Sequence, residues 1–313
     1  MIEIKEDSII LTVKKNKFDL PFLWLRDNCQ CDECRITETQ EKQFLLHSVP
    51  VDIVPNHVEE IDNNIKIIWP DGHKSFIPID IIKNSYLPRY PDQCEWPKKF
   101  QPEKYSWKEF LDSNEIAIEA LKTFVRFGVI ILKDAPKESN SLEFLAKRLG
   151  PINEVLFERI HNVSVTGHVY NVAHTPKGLP PHNDFASYKS QPSVQVLHML
   201  ENECEGGESI IVDGWQVAKD LKDEMPEHFS ILQNFNVPFR EFDEENETYA
   251  EAPLIKCATD GTIESFRYSN QLMQMIDPRK EGIREFYKAY HEISLRVHNK
   301  KYRSTFRLNG GEA

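Results

Sequence analysis

Short alternating runs of apolar and polar residues dominate the first 85 positions of the chain. The segments SIILTV, NKFDLPFLWL, NIKIIWP and HKSFIPIDII each alternate with a short period, as half-buried strands do. Proline then recurs at positions 88, 91, 97 and 102, too often for a central strand or a helix interior. The pattern predicts a small β domain over residues 1–87 and a proline-rich linker over residues 88–104.

Helical and extended patterns mix in residues 105–313, which we predict to form the second domain. IAIEALKTFVRFG places apolar residues on one helical face and stops at Gly128, and the buried strand VIILK follows. Ser141 is expected to cap the helix LEFLAKRL. VQVLHML, ESIIVDGW and TIESFRYSN are typical of short strands between turns. PRKEGIREFYKAYHEISLRVHNK predicts one long amphipathic helix, and STFRLNGGEA a strand with a turn.

Composition narrows the class of protein. The chain has 313 residues, a net charge of −12 and six cysteines, three of which lie in CQCDEC. This cysteine usage is typical of a reduced intracellular protein with one metal site, not of a secreted disulfide framework. Neither a signal peptide nor an apolar run of about 18 residues occurs, so we expect a soluble cytoplasmic protein without a membrane partner. The acidic charge argues against nucleic acid and favours a small-molecule partner.

The CQCDEC loop predicts a zinc site. It holds three cysteines, Cys29, Cys31 and Cys34. Thiolates so crowded repel one another unless a cation neutralises them, and four-coordinate Zn²⁺ does so. The fourth ligand must come from elsewhere in the small domain, where WPDGHKS offers His73 beside a turn, with His47 and His57 as weaker alternatives. The site would be closed and structural, whereas the alternative interpretation is a chance cluster of free thiols.

His182 and Asp184 lie two positions apart in PHNDF. On extended chain such side chains point to one side, so both can bind one metal ion and leave its opposite face open. Two histidines and one carboxylate form the facial triad of non-haem Fe(II) oxygenases. The pattern alone is weak, but the preceding Pro-Pro and the following VQVLHML favour a rigidly supported site. His198 in that apolar run is better explained as a hydrogen-bonded core residue than as a third ligand.

Seven segments in this order resemble the γ-butyrobetaine dioxygenase family of 2-oxoglutarate-dependent dioxygenases. They are LWLRDNCQCDEC, WPDGHKSF, VIILKDAP, LAKRLGPI, NVAHTPKGLPPHNDFASY, PSVQVLHML and EGGESIIVDGW. The resemblance covers nearly the whole chain. It implies a mainly β fold with helices (α+β), with a jelly-roll double-stranded β-helix after a small N-terminal zinc-binding β domain. It also implies an oxidoreductase of carnitine biosynthesis, usually a homodimer, that hydroxylates a small betaine-like substrate such as γ-butyrobetaine.

The same resemblance implies cofactors and site residues. Fe(II) would lie on His182 and Asp184 and act with 2-oxoglutarate and O₂, with ascorbate kept open as a further cofactor, while structural Zn(II) would lie on the cysteines and His73. Asn171 and Leu197 match positions that contact 2-oxoglutarate. Four further residues are expected at the substrate, although ordinary core packing explains each as well: His174, Phe157, Phe185 and Tyr188. Of these, His174 replaces an aromatic wall of the family's cation–π cage.

The sequence departs from the family at its end. A distal histidine ligand and an arginine that pairs with 2-oxoglutarate follow a segment like TFRLNGGEA in the family, and the sequence stops at Ala313. We therefore expect a natural protein that continues, or else an inactive fragment without its closing strands. His291 and His298, on a helix flank, and Arg303 and Arg307, expected as solvated charges, do not replace the missing pair. Open alternatives are a dioxygenase acting on trimethyllysine, a sulfonate or a phosphonate, and a non-catalytic pseudoenzyme or binding protein.

Overall fold

The computed structural model describes most of the chain, namely residues 2–84, 93–156, 159–163, 178–203, 205–243 and 245–313. The chain forms two compact units, Met1–Arg89 and Tyr90–Ala313. The described residues contain eight α-helices and fourteen β-strands, so the protein is mixed α and β rather than mainly β as expected. None of the helices described is both long and apolar enough to cross a membrane.

Two three-stranded antiparallel sheets make up most of the first unit. The strands of the first sheet are β1 (Ile2–Ile4), β2 (Ser8–Val13) and β3 (Asn16–Pro21), and those of the second are β4 (His57–Ile61), β5 (Asn64–Ile68) and β6 (Lys74–Pro78). In β5, Ile65 and Ile67 are fully buried while their neighbours are half-buried. This alternation is the one read from the sequence, because side chains on a strand point to opposite faces in turn.

Two segments of the first unit that were predicted as extended are short helices instead. FLWLRD forms α1 (Phe22–Asp27) and IDIIKN forms α2 (Ile79–Asn84). Each follows a proline, Pro21 or Pro78, that ends a strand. Proline lacks the backbone N–H that would continue the hydrogen-bond ladder of a strand. The residues that follow a proline can therefore begin a helix. Because α1 buries Phe22 and Leu25, the apolar run that resembled a strand is the core face of a helix.

The second unit begins with a helical layer. Its elements are β7 (Lys104–Ser106), α3 (Trp107–Asp112), α4 (Asn114–Phe127), β8 (Ile131–Lys133) and α5 (Leu142–Leu149). The predicted stop of α4 is confirmed, since Gly128 takes the left-handed conformation with φ of 80°. The predicted cap of α5 is wrong. The Ser141 hydroxyl donates to the Glu138 carbonyl at 2.9 Å instead of accepting from α5, because its backbone is already helical.

The rest of the second unit alternates paired strands with helices. These elements are β9 (Ser209–Val212), α6 (Gly214–Glu224), α7 (Pro226–Asn234), β10 (Val237–Phe242), β11 (Glu247–Ala252), β12 (Ile255–Cys257), β13 (Ile263–Phe266), α8 (Ile283–Val297) and β14 (Arg303–Phe306). The strands pair as β7–β8, β9–β14, β10–β11 and β12–β13. Within the described part of this unit no sheet exceeds two strands, and the jelly roll stays a prediction. The long helix is confirmed as α8.

The segment VQVLHML does not form the buried strand that its apolar pattern predicted. Residues 194–198 carry no strand, and Met199 makes only an isolated bridge to Glu312. Val194 and Leu197 are 53% and 46% exposed. A strand needs a neighbouring strand for its backbone hydrogen bonds, and no partner strand is described for these residues. Apolar composition alone was therefore an insufficient signal.

Candidate functional site

Four side chains of the first unit converge on one point. The cysteines follow α1, and His73 lies in the turn between β5 and β6. The Nε2 atom of His73 lies 3.3 Å from the sulfur of Cys29, 3.6 Å from that of Cys31 and 3.5 Å from that of Cys34. The four ligand atoms all lie within 4.8 Å of one another, and this is the only such group of three or more potential metal ligands among the described residues.

These distances fit tetrahedral zinc. Ligands on Zn²⁺ with Zn–S near 2.3 Å and Zn–N near 2.0 to 2.1 Å lie about 3.5 Å apart for a sulfur and a nitrogen. The Glu33 carboxylate lies 3.2 Å from Nδ1 of His73, on the side of the ring opposite the sulfurs. This contact orients the ring so that Nε2 faces the sulfurs. The backbone N–H of His73 donates to Asp71 at 2.9 Å, and Gly72 takes φ of 84° in the same turn. Local turn chemistry thus places this ligand.

The pKa values of two thiols in this cluster, Cys29 and Cys34, are shifted in opposite directions. Burial opposes ionisation of Cys29, but hydrogen bonds to His73 and Ser75 outweigh it and lower its pKa to about 7. Burial raises the pKa of Cys34 to about 12, and the nearby Cys29 adds to the rise. A divalent cation is what would let all of these sulfurs ionise together.

Arg26 is a part of this cluster that the sequence interpretation missed. It is 5% exposed and donates to the sulfur of Cys34 at 3.4 Å. Its guanidinium also lies 3.9 Å from the centre of the Phe44 ring and 3.4 Å from Asp71. A positive charge is favourable beside three thiolates and one Zn²⁺, which together carry a net negative charge. The available signal was an arginine inside the apolar run LWLRDN.

His182 and Asp184 also lie together, in the second unit. The Nε2 atom of His182 is 3.0 Å from Oδ1 of Asp184. Nδ1 of His182 donates to the Pro180 carbonyl at 2.8 Å, and Oδ2 of Asp184 accepts from Gln195 at 2.5 Å. The two groups stabilise each other's charge: the hydrogen bond to Asp184 raises the pKa of His182 against the effect of burial, and the same bond lowers the pKa of Asp184.

The pair fits two neighbouring ligands of one metal ion. Two ligands about 2.1 Å from an octahedral ion and at a right angle lie about 3.0 Å apart. The bond from Nδ1 to Pro180 selects the ring nitrogen that faces Asp184, as outer hydrogen bonds of metal-binding histidines do. The turn that carries the pair is anchored, because Ala186 is fully buried in the core that contains residues of α6, α7 and α8.

No third metal ligand joins this pair within the described residues. His198 stacks on Trp107 with ring centroids 6.1 Å apart, and its buried Nε2 lacks a hydrogen-bond partner in that part of the chain. The hydrogen bond expected for His198 is therefore not made through Nε2. His291 is exposed on α8, and Nδ1 of His298 lies 2.8 Å from the Ser294 carbonyl.

Glu241 is a second acid beside the pair and was not expected from the sequence. It lies on β10 and is 9% exposed. Burial raises its pKa, and the negative charge of Asp184 raises it further. The Glu241 carboxyl thus interacts electrostatically with both members of the His182–Asp184 pair. Alternation along VPFREF put this glutamate on the buried face of the strand, which was the missed signal.

The remaining predicted site residues are only partly described. Asn171, His174 and Phe157 lie outside the described residues. Phe185 and Tyr188 form a tilted ring pair at 5.0 Å, and the Tyr188 hydroxyl accepts from the Leu156 backbone at 2.6 Å. Both side chains are half-buried, and Leu197 is partly exposed.

Arg307 is not the solvated charge that we expected. Its guanidinium donates to the Gly206 carbonyl at 2.7 Å and to the Asn202 side chain at 3.0 Å. It therefore links the end of β14 to the segment that precedes β9, in addition to the backbone pairing of these two strands. Arg303, opposite Val212 in the same pair of strands, is half-buried.

Two family models match the chain. Residues 92–313 match the taurine catabolism dioxygenase TauD, TfdA family, and residues 2–77 match the gamma-butyrobetaine hydroxylase-like N-terminal family. The matched segments correspond to most of the second and first compact units, respectively.

Curated relatives are similar over most of the chain. Dioxygenase str8 of Strobilurus tenacellus is 29% identical over 316 residues, which cover 94% of this chain and 73% of that protein. Gamma-butyrobetaine dioxygenase of Pseudomonas sp. (strain AK-1) is 29% identical over 300 residues, covering 93% and 78%. Mitochondrial trimethyllysine dioxygenase of Bos taurus is 27% identical over 236 residues, covering 72% and 56%.

Proposed function

The chain belongs to the taurine catabolism dioxygenase TauD, TfdA family and is a 2-oxoglutarate-dependent dioxygenase, and from this premise we propose that it hydroxylates a small betaine-like substrate such as γ-butyrobetaine. The substrate is supported by the gamma-butyrobetaine hydroxylase-like match of residues 2–77 and by relatives named for that substrate. Carnitine biosynthesis is the corresponding pathway.

The observation that carries the proposal is the 3.0 Å approach of His182 to Asp184. Enzymes of this family use Fe(II) and 2-oxoglutarate, and we assign the iron to these two residues. Iron with 2-oxoglutarate and O₂ would supply the oxidising chemistry that protein side chains lack. The role of the chain is to hold both ligands in a fixed relative position and to direct the substrate at the open face.

Asp184 supplies the charge that the site needs. A carboxylate with a lowered pKa is ionised at neutral pH, so it can neutralise part of a divalent cation without first losing a proton. The hydrogen bond to the same partner raises the pKa of His182, so a metal ion at Nε2 competes with a proton for that nitrogen.

We further propose that Asn171 and Leu197 contact 2-oxoglutarate and that Phe185, Tyr188 and His174 contribute to substrate binding, with Phe157 as a further candidate. A quaternary ammonium group is attracted to aromatic faces, and the tilted Phe185–Tyr188 pair supports such a role. Histidine at position 174 weakens one wall of such a cage, since a protonated imidazole would repel the cation. Ascorbate is a further candidate cofactor.

We propose a structural role for zinc on Cys29, Cys31, Cys34 and His73. These four residues would fill all four ligand positions of a tetrahedral ion and would leave no position for chemistry. The reduced thiols favour the cytoplasm, and family analogy favours a homodimer and a jelly roll in residues 105–313.

Trimethyllysine is the second candidate substrate, because relatives named for it match 72% of the chain. γ-Butyrobetaine and trimethyllysine share a trimethylammonium group, so the same site chemistry serves both. Sulfonates and phosphonates are anionic and lack it.

Substrate-stimulated succinate release tests the proposal. The full-length protein with Fe(II), 2-oxoglutarate and ascorbate is offered γ-butyrobetaine, trimethyllysine, taurine and an alkylphosphonate in parallel. We expect γ-butyrobetaine to stimulate succinate release most strongly and to gain one oxygen by mass spectrometry. The Asp184→Ala variant should release no succinate above background. Stimulation by taurine or the phosphonate alone would contradict the substrate, and stoichiometric binding without succinate would favour a binding protein.

A further inference from the structure

A single buried arginine holds the turn that follows the proposed iron ligands. We propose that Arg267 is a positioning residue for the His182–Asp184 pair, acting through the backbone of residues 186–189. The inference rests on the proposed iron site and adds to it a residue that contacts neither the metal nor the substrate.

The contacts of Arg267 are directed at backbone carbonyls. One guanidinium nitrogen donates to the carbonyl of Ala186 and, at 2.8 Å, to that of Tyr188. The other donates to the Lys189 carbonyl at 3.3 Å. Three carbonyls within four residues are thus bonded to one planar group. Because Ala186 is fully buried and Arg267 is 8% exposed, water does not offer the Ala186 carbonyl an equivalent donor.

The next residue along the chain holds the other end of the turn. The backbone N–H of Tyr268 donates to the side-chain oxygen of Asn183 at 2.7 Å, and its carbonyl accepts from the Asn183 N–H at 2.7 Å. Asn183 lies between the two proposed iron ligands. Arg267 and Tyr268 therefore contact the chain on both sides of Asp184, which restricts how far its carboxylate can move relative to His182.

The support behind this double contact is rigid. Arg267 directly follows β13, and its backbone N–H donates to the Leu254 carbonyl at 2.7 Å. The Tyr268 hydroxyl lies 2.9 Å from the Ser294 hydroxyl of α8. Phe266 packs so closely on Gly214 of α6 that an added Cβ there would lie 3.0 Å from the ring. The turn is consequently anchored to a strand pair and two helices.

The chemistry requires arginine at this position. A guanidinium has five donors in a fixed plane, which suits several carbonyls at once, whereas an ammonium is a compact point charge. Among the described residues no charged group offsets the burial of Arg267. The side-chain hydrogen bonds described for Arg267 go to the turn, and no ion pair among the described residues explains why a cation is buried here.

Binding of Mn(II) tests the inference without requiring catalytic turnover. Mn(II) is a hard cation that suits imidazole and carboxylate ligands, and its free form is counted by electron paramagnetic resonance. Loss of a supporting contact behind metal ligands typically weakens metal binding by about 10- to 100-fold. We expect Arg267→Met to weaken Mn(II) binding within this range in zinc-loaded full-length protein, and Arg267→Lys to fall between it and the unsubstituted protein.

Arg296→Met is the matched control. Arg296 is also largely buried in the second unit, but it pairs with Glu224 and Glu292 at 2.8 Å. Among the described residues, none of its hydrogen bonds or ion pairs reaches the turn. It should lower the melting temperature as Arg267→Met does, yet change the Mn(II) dissociation constant by less than about twofold.

Each possible outcome of these measurements either supports or overturns the role of Arg267. Asp184→Ala must abolish Mn(II) binding, and failure of the unsubstituted protein to bind Mn(II) would overturn the iron site and this inference together. Tight Mn(II) binding by both Arg267 variants, with binding still lost in Asp184→Ala, would overturn only the role of Arg267. Equal weakening in Arg296→Met, or unfolding of both Arg267 variants, would show a purely structural arginine and overturn it as well.

Discussion

Replacing Cys31 by serine should remove zinc from the first unit and loosen its fold. The Cys31 sulfur lies 3.6 Å from Nε2 of His73 and 3.4 Å from the sulfur of Cys29, so its loss opens one face of the proposed tetrahedron. A serine hydroxyl is a much poorer ligand for zinc than a thiolate. The remaining three side chains can then bind the ion only with a vacant position.

The size of the effect follows from the ligand count. Structural zinc sites bind with about 10 to 16 kcal/mol near neutral pH, so an equal share for one of four ligands is about 2.5 to 4 kcal/mol. A domain of under 100 residues loses about 4 to 8 °C of melting temperature per kcal/mol. We therefore expect the first unit to melt about 10 to 30 °C lower. Its buried core, which includes Trp69 and Phe22, should retain some structure after zinc is lost.

Two measurements check this expectation. Elemental analysis should find about one zinc per unsubstituted chain and much less in Cys31→Ser. Hydrogen exchange should speed up in β5 and β6 while α8 stays protected. Cys257→Ser is the control, because Cys257 lies on β12 in the other unit and takes no part in the cluster. If Cys31→Ser kept its zinc, or if purified protein never contained any, the four residues would not form a zinc site.

Three further predictions concern titration and packing. Burial raises the pKa of Cys34 to about 12, so zinc binding must displace the proton of this thiol. A chelator should therefore extract zinc faster as the pH falls. Extraction at a rate that does not depend on pH would contradict this prediction. The hydrogen bond to Asp184 raises the pKa of His182 above 6.5 in the folded protein. This bond therefore contributes fully to folding stability below pH 6.5, and the contribution is lost as the pH rises through the pKa of the folded state. Asp184→Asn should lower that pKa in metal-free protein, as followed by the imidazole proton resonance, and an unchanged value would mean that the pair is not formed. His198→Ala should lose its stacking on Trp107 and about 1 kcal/mol of stability, with succinate release within about twofold; abolished release would place His198 in the active site.

Three of the four proposed zinc ligands could be predicted from the sequence because they are close neighbours along the chain. Three cysteines in one loop are neighbours whatever the rest of the chain does. His73 was preferred over His47 and His57 for its Pro-Asp-Gly turn, and the structure brings that histidine to the sulfurs. The helices α4 and α8 and their ends were predictable for the same reason, since 3.6-residue periodicity and a stop at glycine act over short stretches.

The errors lie where a neighbour from elsewhere in the chain decides the outcome. FLWLRD and VQVLHML are both apolar, yet one is a helix and the other carries no regular structure over residues 194–198. Periodicity over six or seven residues does not distinguish these states, and a strand exists only if another strand accepts its hydrogen bonds. The partner of β9 is β14, which starts about ninety positions later.

The sequence by itself determined the family, the helices α4 and α8, the three clustered cysteines and the spacing of His182 and Asp184. Only the tertiary structure decided which charged groups surround them. Local patterns place Arg26 and Glu241 on buried faces but do not reveal their partners. Arg26 reaches Asp71, Glu241 interacts with His182 and Asp184, and Arg267 binds the turn that follows them, each far away along the chain. Spacing between neighbours is set by bond geometry, whereas the environment of a buried charge depends on every element packed against it.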